Sequence, residues 1–276
     1  MGCKMKKKLR VTAVFAAIVL IAAILMAIWP SLFTKYDPLA VDPLHRLQGL
    51  SAGHICGTDE YGRDIWTRIV YGTRNSLTVG FGAAGLAMIL GVPFGLLAGW
   101  KGGLVDSIIM RIMDAFQSFP AVLLAILFIT IFDPSVTTLV LTIALVNFPY
   151  FARIVRSNVL SIKATEYIEA TRAFGAGTFY LLFRSILPNC FSAIIVQVSL
   201  LTANAILLEA GLSFLGLGIQ PPAPSWGGML SYAKAYVDSA VNYILAPTAA
   251  IFLVVLSINL IGDALRDKLD PKSRTE

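Results

Sequence analysis

Six long apolar stretches alternate with polar, charged segments along this 276-residue chain. Each is close to or above the roughly 18 to 20 residues that a helix needs to cross the hydrocarbon of a bilayer. They occupy residues 11–29, 76–99, 115–132, 135–155, 190–217 and 241–261. None shows the period-two alternation over about 10 residues that is typical of transmembrane β-strands. The pattern therefore predicts an all-α membrane protein with six transmembrane helices.

The composition agrees with that fold class. Hydrophobic residues make up 57% of the chain, charged residues 14%, and the mean hydropathy is +0.77, which is too apolar for a soluble domain. We divide the chain into a basic N-terminus with the first span (1–29), a polar loop (30–75), a five-helix core (76–262) and a charged tail (263–276).

The first apolar stretch follows a strongly basic segment, because residues 1–10 carry five Lys/Arg and no acid. A cleavable signal peptide has a similar start, but its apolar run is shorter and ends in small residues. Trp29-Pro30 is a poor substitute for such a site, so we predict a retained first span. Gly2 and Cys3 suggest lipidation, but no acylation pattern is complete.

The loop at 30–75 and the second span carry local signals. Asp64 is suited to cap a short helix with Ile65, Trp66 and Ile69 on its apolar side, lying at the membrane interface. The second span is rich in small residues, which let helices approach closely in lipid, so we expect it in the middle of the bundle. Pro93 should kink it. We predict a short connection at 100–114. We also predict a loop rich in Pro and Gly at 218–238.

The segment 166–189 is polar in a largely apolar chain. Good helix formers such as Glu169 and Ala170 are followed by Gly175 and Gly177, and a second amphipathic turn precedes Leu187-Pro188. Glycine as a helix stop and proline near a helix start are the expected punctuation. We predict two short helices at an angle, outside the bilayer, joining two spans.

Charge indicates the side on which that segment lies. With six spans, the N-terminus, 100–114, 153–189 and the tail share one side and hold 16 of the 22 Lys/Arg, against 6 on the opposite side. Because cytoplasmic segments are enriched in Lys and Arg, this predicts cytoplasmic termini and a cytoplasmic 166–189 segment.

Catalytic and cofactor chemistry is not indicated. His45 and His54 have no partner at metal-ligand spacing, and the cysteines at positions 3, 56 and 190 are odd in number and scattered. No phosphate-binding loop is present, and no span contains a histidine that could serve as a catalytic base. We therefore predict no enzyme activity, no cofactor and no metal site.

Polar residues inside the spans are candidates for a transport pathway, because burying them in lipid is costly. Glu209 is the only carboxylate well inside a span. It is a substrate or proton site, a helix–helix hydrogen-bonding group, or a group near the outer end of the span that water reaches. Gln197 and Asn204 are seven residues apart and share a helix face. They either line a path or hold the bundle together.

The 166–189 segment resembles the cytoplasmic Glu-Ala-Ala loop of permease subunits in ABC importers. Glu169, Ala170 and Thr171 match the Glu-Ala-Ala triplet, with Thr171 in place of the second alanine, and Gly175 and Ile186-Leu187-Pro188 follow at the family's spacing. Further blocks resemble the second, C-type permease of the dipeptide, oligopeptide and nickel branch. They include Gly57-Thr58-Asp59 with Gly62-Arg63-Asp64, the stretch from Glu209 to Gly218 with Trp226, and Asn259 with Gly262-Asp263.

The resemblance implies a type I ABC importer permease fold with a cytoplasmic coupling loop at 163–189, whose first short helix is the coupling helix. It implies that the residues that couple this chain to the ATPase are Glu166, Glu169, Ala170, Thr171, Arg172 and Gly175. Gly57, Asp59, Arg63, Asp64, Arg68 and Trp226 would face the binding protein outside. Arg63, Asp64 and Arg68 either link neighbouring loops or only anchor an interfacial helix, and Trp226 belongs to an outer vestibule or is an interface anchor.

Implied partners are a second homologous permease, one or two ATP-binding subunits, an extracytoplasmic substrate-binding protein and the lipid bilayer, with no nucleic acid. The implied location is a bacterial or archaeal cell membrane, and the cargo is a short peptide or nickel or another metal chelate. Two alternatives stay open, a stand-alone secondary transporter driven by an ion gradient and a non-transporting scaffold.

Overall fold

The chain is helical in every main element of its computed structural model, which describes the backbone of residues 2–269 and the side chains of residues 12–269. Cys3 and the last residues of the predicted tail lie outside the described side chains. The helices are α1 (Gly2–Ile28), α2 (Ile65–Lys101), α3 (Gly103–Gln117), α4 (Ala121–Ile131), α5 (Val136–Lys163), α6 (Glu166–Ala173), α7 (Thr178–Phe214), α8 (Trp226–Ala233) and α9 (Val241–Leu269).

Four of these helices, α2, α5, α7 and α9, are long and apolar enough to cross a membrane by themselves. The pair α3–α4 passes the same test only as one broken span, and the apolar part of α1 is Thr12–Ile28. The six predicted spans therefore correspond to α1, α2, the α3–α4 pair, α5, α7 and α9. The predicted all-α membrane fold is confirmed, with four helices and one broken pair that are long and apolar enough to span; the predicted first span corresponds to the shorter apolar part of α1.

The third span differs from its predicted form. The predicted connection at 100–114 is mostly the amphipathic helix α3, and the chain then bends by 83° before the short helix α4. The break ends at Pro120, the residue directly before α4, whose ring lacks the backbone donor that would continue α3. Two acidic residues of α3 bond to α5, Asp106 to Arg156 and Asp114 to Arg153.

The second and fifth helices form the closest pair in the bundle. Gly91, Gly95 and Gly99 follow one another at four-residue spacing and lie against the backbone of α5. A Cβ built on Gly95 would stand 2.5 Å from the carbonyl oxygen of Ala152, and one on Gly99 would stand 2.7 Å from Cβ of Val159. The prediction that small residues place the second span inside the bundle is confirmed.

The predicted interfacial helix at 65–70 is not separate. It forms the first turns of α2, which continues through Pro93 to Lys101. The predicted cap is confirmed, since the Asp64 carboxylate accepts a 2.7 Å hydrogen bond from the Thr67 backbone N–H. No residue between Val70 and Ser76 stops the helix. Gly72, the weakest helix former there, packs against the backbone of Ser225.

The segment 166–189 contains one separate short helix rather than the two that were predicted. That helix is α6, and the second amphipathic turn is the beginning of α7. A π-helical turn at Leu181–Ile186 links this beginning to Leu187–Phe214. The wider turn lies directly before Pro188, where a backbone donor is missing.

The predicted loop at 218–238 also contains a helix, α8, which Ser225 caps by accepting a 3.1 Å hydrogen bond from the Gly228 N–H. Gly227 packs so closely on α7 that an added Cβ would stand 2.6 Å from Cα of Ala210. The last helix, α9, extends through the first part of the predicted tail to Leu269.

Candidate coupling segment and polar cluster

The short helix α6 exposes most of its surface. Ile168 is buried and fixes the helix to the bundle, while Glu166, Glu169, Ala170 and Arg172 are exposed. Both acids lie in the first turn and the arginine in the last turn. This order is favourable, because acids stabilise the positive end of the helix dipole and cations the negative end.

The end of α6 is a sharp turn at Gly175, whose φ of +84° is in the left-handed region that favours glycine. The N–H groups of Gly175 and Ala176 donate to the carbonyls of Arg172 and Thr171. Thr171, which replaces alanine in the resemblance, donates its hydroxyl to the Tyr167 carbonyl at 2.6 Å. Its side chain is therefore satisfied within the helix.

Three cationic or aromatic residues connect α6 to the ends of α2 and α5. Lys163, the last residue of α5, donates to the Trp100 carbonyl at 2.6 Å. Its Nζ lies 5.3 Å from the centre of the Trp100 ring, and Cζ of Arg172 lies 5.8 Å from it. We name these residues the Trp100 junction. Sequence reasoning did not find it, because Trp100 and Arg172 are far apart in the chain.

Exposed aromatic side chains surround the α6–α7 turn. Phe174 is 92% exposed and Phe179 is 74% exposed. The rings of Phe179 and Phe183 lie 4.4 Å apart, centre to centre. Large apolar residues at such positions typically mark a protein or membrane contact. Their occurrence in an otherwise polar segment was the available sequence signal.

A network of buried charges precedes and enters the start of α2. Asp59 is fully buried and accepts a 2.6 Å hydrogen bond from Nε of Arg63. Its other neighbour, Nε of Arg68, lies 3.5 Å away, and Arg68 also donates to the Pro38 carbonyl at 2.9 Å. The nearby Glu60 accepts a 2.6 Å hydrogen bond from the Tyr243 hydroxyl of α9.

The cap residue Asp64 extends this network. One carboxylate oxygen of Asp64, Oδ1, lies 2.9 Å from Nδ1 of His54. The other, Oδ2, caps α2 and also accepts a 2.7 Å hydrogen bond from the Thr67 hydroxyl. Gly57 has a φ of +78°, and an added Cβ would meet both Asn242 and the Gln48 carbonyl. We call Asp59, Glu60, Arg63, Asp64 and Arg68 the polar cluster. The structure brings the predicted residues Asp59, Arg63, Asp64 and Arg68 together, and adds Glu60, His54 and Tyr243.

Trp226 is not a membrane-interface anchor. It is 2% exposed and donates from its ring nitrogen to the Ile69 carbonyl of α2 at 3.1 Å. Asn75 donates to the Pro224 carbonyl at 2.8 Å in the same region. The start of α8 and the loop before it are thus each tied to α2 by a side-chain hydrogen bond.

The three candidate pathway residues do not lie together. Glu209 is fully buried, and it accepts hydrogen bonds from Ser213 at 2.7 Å and from Ser76 of α2 at 3.4 Å. Asn204 is exposed and Gln197 is half-buried on the other side of α7. This geometry favours the helix–helix interpretation of Glu209. The pathway role of Gln197 and Asn204 stays a prediction.

Among the described residues, no group of three His, Cys, Asp or Glu side chains could hold a metal ion. His45 instead lies 2.6 Å from the Asp42 carboxylate, and this hydrogen bond lowers the pKa of Asp42. The thiol of Cys56 is free and half-buried, and burial raises its pKa.

Comparison with known proteins gives consistent matches. Residues 91–275 match the family described as "Binding-protein-dependent transport system inner membrane component". The chain is 47% identical over 263 residues to the dipeptide transport system permease protein DppC of Alkalihalophilus pseudofirmus, covering 95% of this chain and 86% of that one. It is 43% identical over 264 residues to the glutathione transport system permease protein GsiD of Pectobacterium atrosepticum, covering 95% and 88%.

Solved structures share the fold at low sequence identity. A chain of the MetNI methionine ABC transporter, described in inward-facing conformations, superposes with a TM-score of 0.62 and 19% identity. The match covers 73% of this chain and 96% of that chain. A chain of an amino acid ABC transporter crystallised with histidines gives a TM-score of 0.57 at 15% identity.

Proposed function

Because this chain belongs to the family of binding-protein-dependent transport system inner membrane components, we propose that it couples ATP hydrolysis by separate subunits to peptide import through residues 166–189. The chain is a multi-pass membrane permease of a peptide ABC importer and not an enzyme. It forms half of the pore, and the second half is a homologous permease.

The observation that carries this proposal is the geometry of α6. Its buried Ile168 fixes it to the bundle, and its exposed side carries Glu169 and Ala170. Small side chains at positions 170 and 173 keep the helix narrow enough to enter a cleft on another protein. The exposed Phe174 next to it supplies apolar area of the kind that dominates binding energy at protein interfaces.

A displacement of α6 is transmitted to the bundle through α5 and α2. Only two residues, Ala164 and Thr165, separate α6 from α5, and the Trp100 junction ties both helices to the end of α2. Since the glycines of α2 lie against the α5 backbone, α2 and α5 move together. In contrast, Gly175 and Gly177 separate α6 from α7.

The polar cluster is proposed to support the binding-protein side. Its charges are buried, and Arg63 is paired with both Asp59 and Glu60. The loop before α2 is therefore a held surface rather than an open ligand site. The exposed Tyr61 ring lies under the Arg63 guanidinium, 4.5 Å from Cζ. A substrate-binding protein that docks here meets a surface held in place by α2 and α9.

Short peptides are the proposed cargo. The relatives described above are named for dipeptide and glutathione transport, and we therefore prefer peptides to nickel or another metal chelate. One or two types of ATP-binding subunit complete the importer. Both termini and α6 are proposed to be cytoplasmic, since that side carries the excess of Lys and Arg.

The test uses the importer co-expressed with its partners and reconstituted in proteoliposomes. Glu169→Lys and Gly175→Ala are expected to leave ATP hydrolysis unresponsive to the loaded binding protein, or to release the ATPase during purification. Gly177→Ala is the matched control, because Gly177 has ordinary φ and nothing lies within 4 Å of an added Cβ.

Unimpaired, binding-protein-stimulated uptake in both variants would contradict the coupling role. Uptake by the purified chain alone, driven by an ion gradient, would instead support a secondary transporter. Labelling from outside of a cysteine placed at Ala170 would contradict the cytoplasmic position of α6.

A further inference from the structure

A cleft with a volume of about 600 Å³ lies between α1 and the first half of α2. Its α1 wall is apolar and consists of Ile24, Ala27 and Ile28. Its α2 wall carries Leu77 and Phe81 together with two polar residues, Arg74 and Thr78. Ile24, Ile28 and Phe81 are each more than a third exposed, so the cleft is open at the surface of the described chain.

Arg74 differs from the other three arginines between residues 30 and 75. Arg46, Arg63 and Arg68 each donate to a carbonyl or a carboxylate. Arg74 is exposed and makes no hydrogen bond or ion pair with any described residue. A guanidinium presents several donors in a planar fork that matches phosphate and carboxylate oxygens. The Arg74 guanidinium at the rim of this apolar cleft therefore matches an anionic ligand.

The position of Arg74 along the bundle is set by α1. Ala27 and Ile28, which line the cleft beside it, are the last residues of α1, and Trp29-Pro30 follows. Tryptophan at the end of a span is typical of the membrane–water boundary, at the level of the lipid headgroups. Phe81 lies seven residues further along α2, about 10 Å deeper in the hydrocarbon at 1.5 Å per residue.

We propose that this cleft binds one anionic phospholipid, with its phosphate at Arg74 and an acyl chain along Ile24, Leu77 and Phe81. The hydroxyl of Thr78, one turn below Arg74, is placed to donate to a phosphate or ester oxygen. An acyl chain covers the apolar walls, and the phosphate satisfies the unpaired charge at the boundary. Anionic headgroups attract cationic side chains near the bilayer surface.

A neutral helix of the second permease would fill the apolar walls but leave the Arg74 charge unpaired in a dry contact, which is costly. An anionic phospholipid supplies both an acyl chain for the apolar walls and a phosphate for Arg74. The site does not depend on the coupling role of α6, nor on which end of the bundle is cytoplasmic.

Native mass spectrometry of the assembled importer tests the proposal, after transfer from phosphatidylcholine nanodiscs containing graded amounts of phosphatidylglycerol. The wild type is expected to retain one phosphatidylglycerol in preference to phosphatidylcholine. Arg74→Gln should weaken that retention about tenfold or more, as expected for losing a hydrogen bond to a charged group. Phe81→Ala should weaken retention of both lipids.

Arg111→Gln is the matched control, because Arg111 of α3 is also exposed and unpaired among the described residues but lies outside the cleft. It should leave phosphatidylglycerol retention unchanged. Excess inorganic phosphate should not displace the lipid. Displacement by phosphate, equal retention by Arg74→Gln and the wild type, or loss of the second permease from Arg74→Gln with lipid retention unchanged would each overturn the proposal.

Discussion

Gly95 of α2 and Ala152 of α5 are in backbone contact, with only 2.5 Å between a Cβ built on Gly95 and the Ala152 carbonyl oxygen. A backbone oxygen in the middle of a helix cannot move aside as a flexible side chain can. Gly91 and Gly99 make the same kind of approach one turn on either side. The α2–α5 contact therefore leaves no room for a side chain at positions 91, 95 and 99 unless the helices shift.

The first prediction concerns this contact. Gly95→Ala is expected to destabilise the detergent-solubilised chain by about 1 to 3 kcal/mol, because overpacking forces the helices apart. Thermal unfolding followed by tryptophan fluorescence measures the change.

Gly85→Ala on the same helix is the control, since nothing lies within 4 Å of a Cβ at that position. It should be neutral or stabilising by about 0.5 to 1 kcal/mol, because alanine is the better helix former. Equal effects of the two substitutions would show that the close approach has no energetic weight.

The second prediction concerns the link between the polar cluster and α9. Tyr243→Phe removes the hydroxyl that donates to Glu60 at 2.6 Å, and both residues are buried. The remaining Glu60 partner, Arg63, lies 3.4 Å away. Leaving a buried acceptor unpaired costs about 1 to 3 kcal/mol, so the unfolding temperature should fall.

Tyr36→Phe makes the same chemical change at an exposed hydroxyl, which donates to the Gly53 carbonyl at 3.0 Å. Water can replace that hydrogen bond, and the unfolding temperature should not change. A Tyr243→Phe variant as stable as Tyr36→Phe would remove the basis for treating the cluster as a rigid support.

The third prediction separates the two interpretations of Glu209. Glu209→Gln keeps the volume and can still bond to Ser213 and Ser76, so uptake by the reconstituted importer and stability should both be near those of the wild type. Glu209→Ala should lose about 2 to 5 kcal/mol, as for other large-to-small changes in a packed interior. Asn204→Ala, at an exposed position on the same helix, should leave stability unchanged. Abolished uptake in a stable Glu209→Gln variant would instead assign Glu209 to the pathway.

Local rules predicted several of these features from the sequence. The Asp64 cap and the turn at Gly175 each depend on a few neighbouring residues, and the close packing of the second span was indicated by its own small residues. A helix start favours an Asp side chain that accepts from the backbone, and a left-handed helix end favours glycine. Neither preference depends on the rest of the chain. The six-span fold was also predictable, since it depends only on the length of apolar runs.

Features that depend on distant contacts were not predictable in this way. Tyr243 and Glu60 are 183 positions apart, and nothing local distinguishes Tyr243 from other aromatic residues near a span end. The interface-anchor alternative for Trp226 rested on the frequency of tryptophan at span ends, yet its ring is buried against α2. The bend between α3 and α4 was missed because the apolar run continues through Pro120.

The last prediction concerns the Trp100 junction and rests on the proposed coupling role. Trp100→Leu keeps an apolar side chain and the backbone carbonyl that Lys163 bonds, but it removes the ring that Lys163 and Arg172 approach. Two cation–π contacts contribute about 0.5 to 1 kcal/mol each, together a factor of about 5 to 30 in a conformational equilibrium. We expect basal ATP hydrolysis to persist while its stimulation by the loaded binding protein falls by several-fold.

Trp100→Phe retains an aromatic face and should recover part of that stimulation. Trp29→Leu, at a 55% exposed tryptophan beyond the end of α1, controls for the loss of any tryptophan and should behave as the wild type. Full stimulation in Trp100→Leu would mean that α6 transmits its movement through the α5 backbone alone.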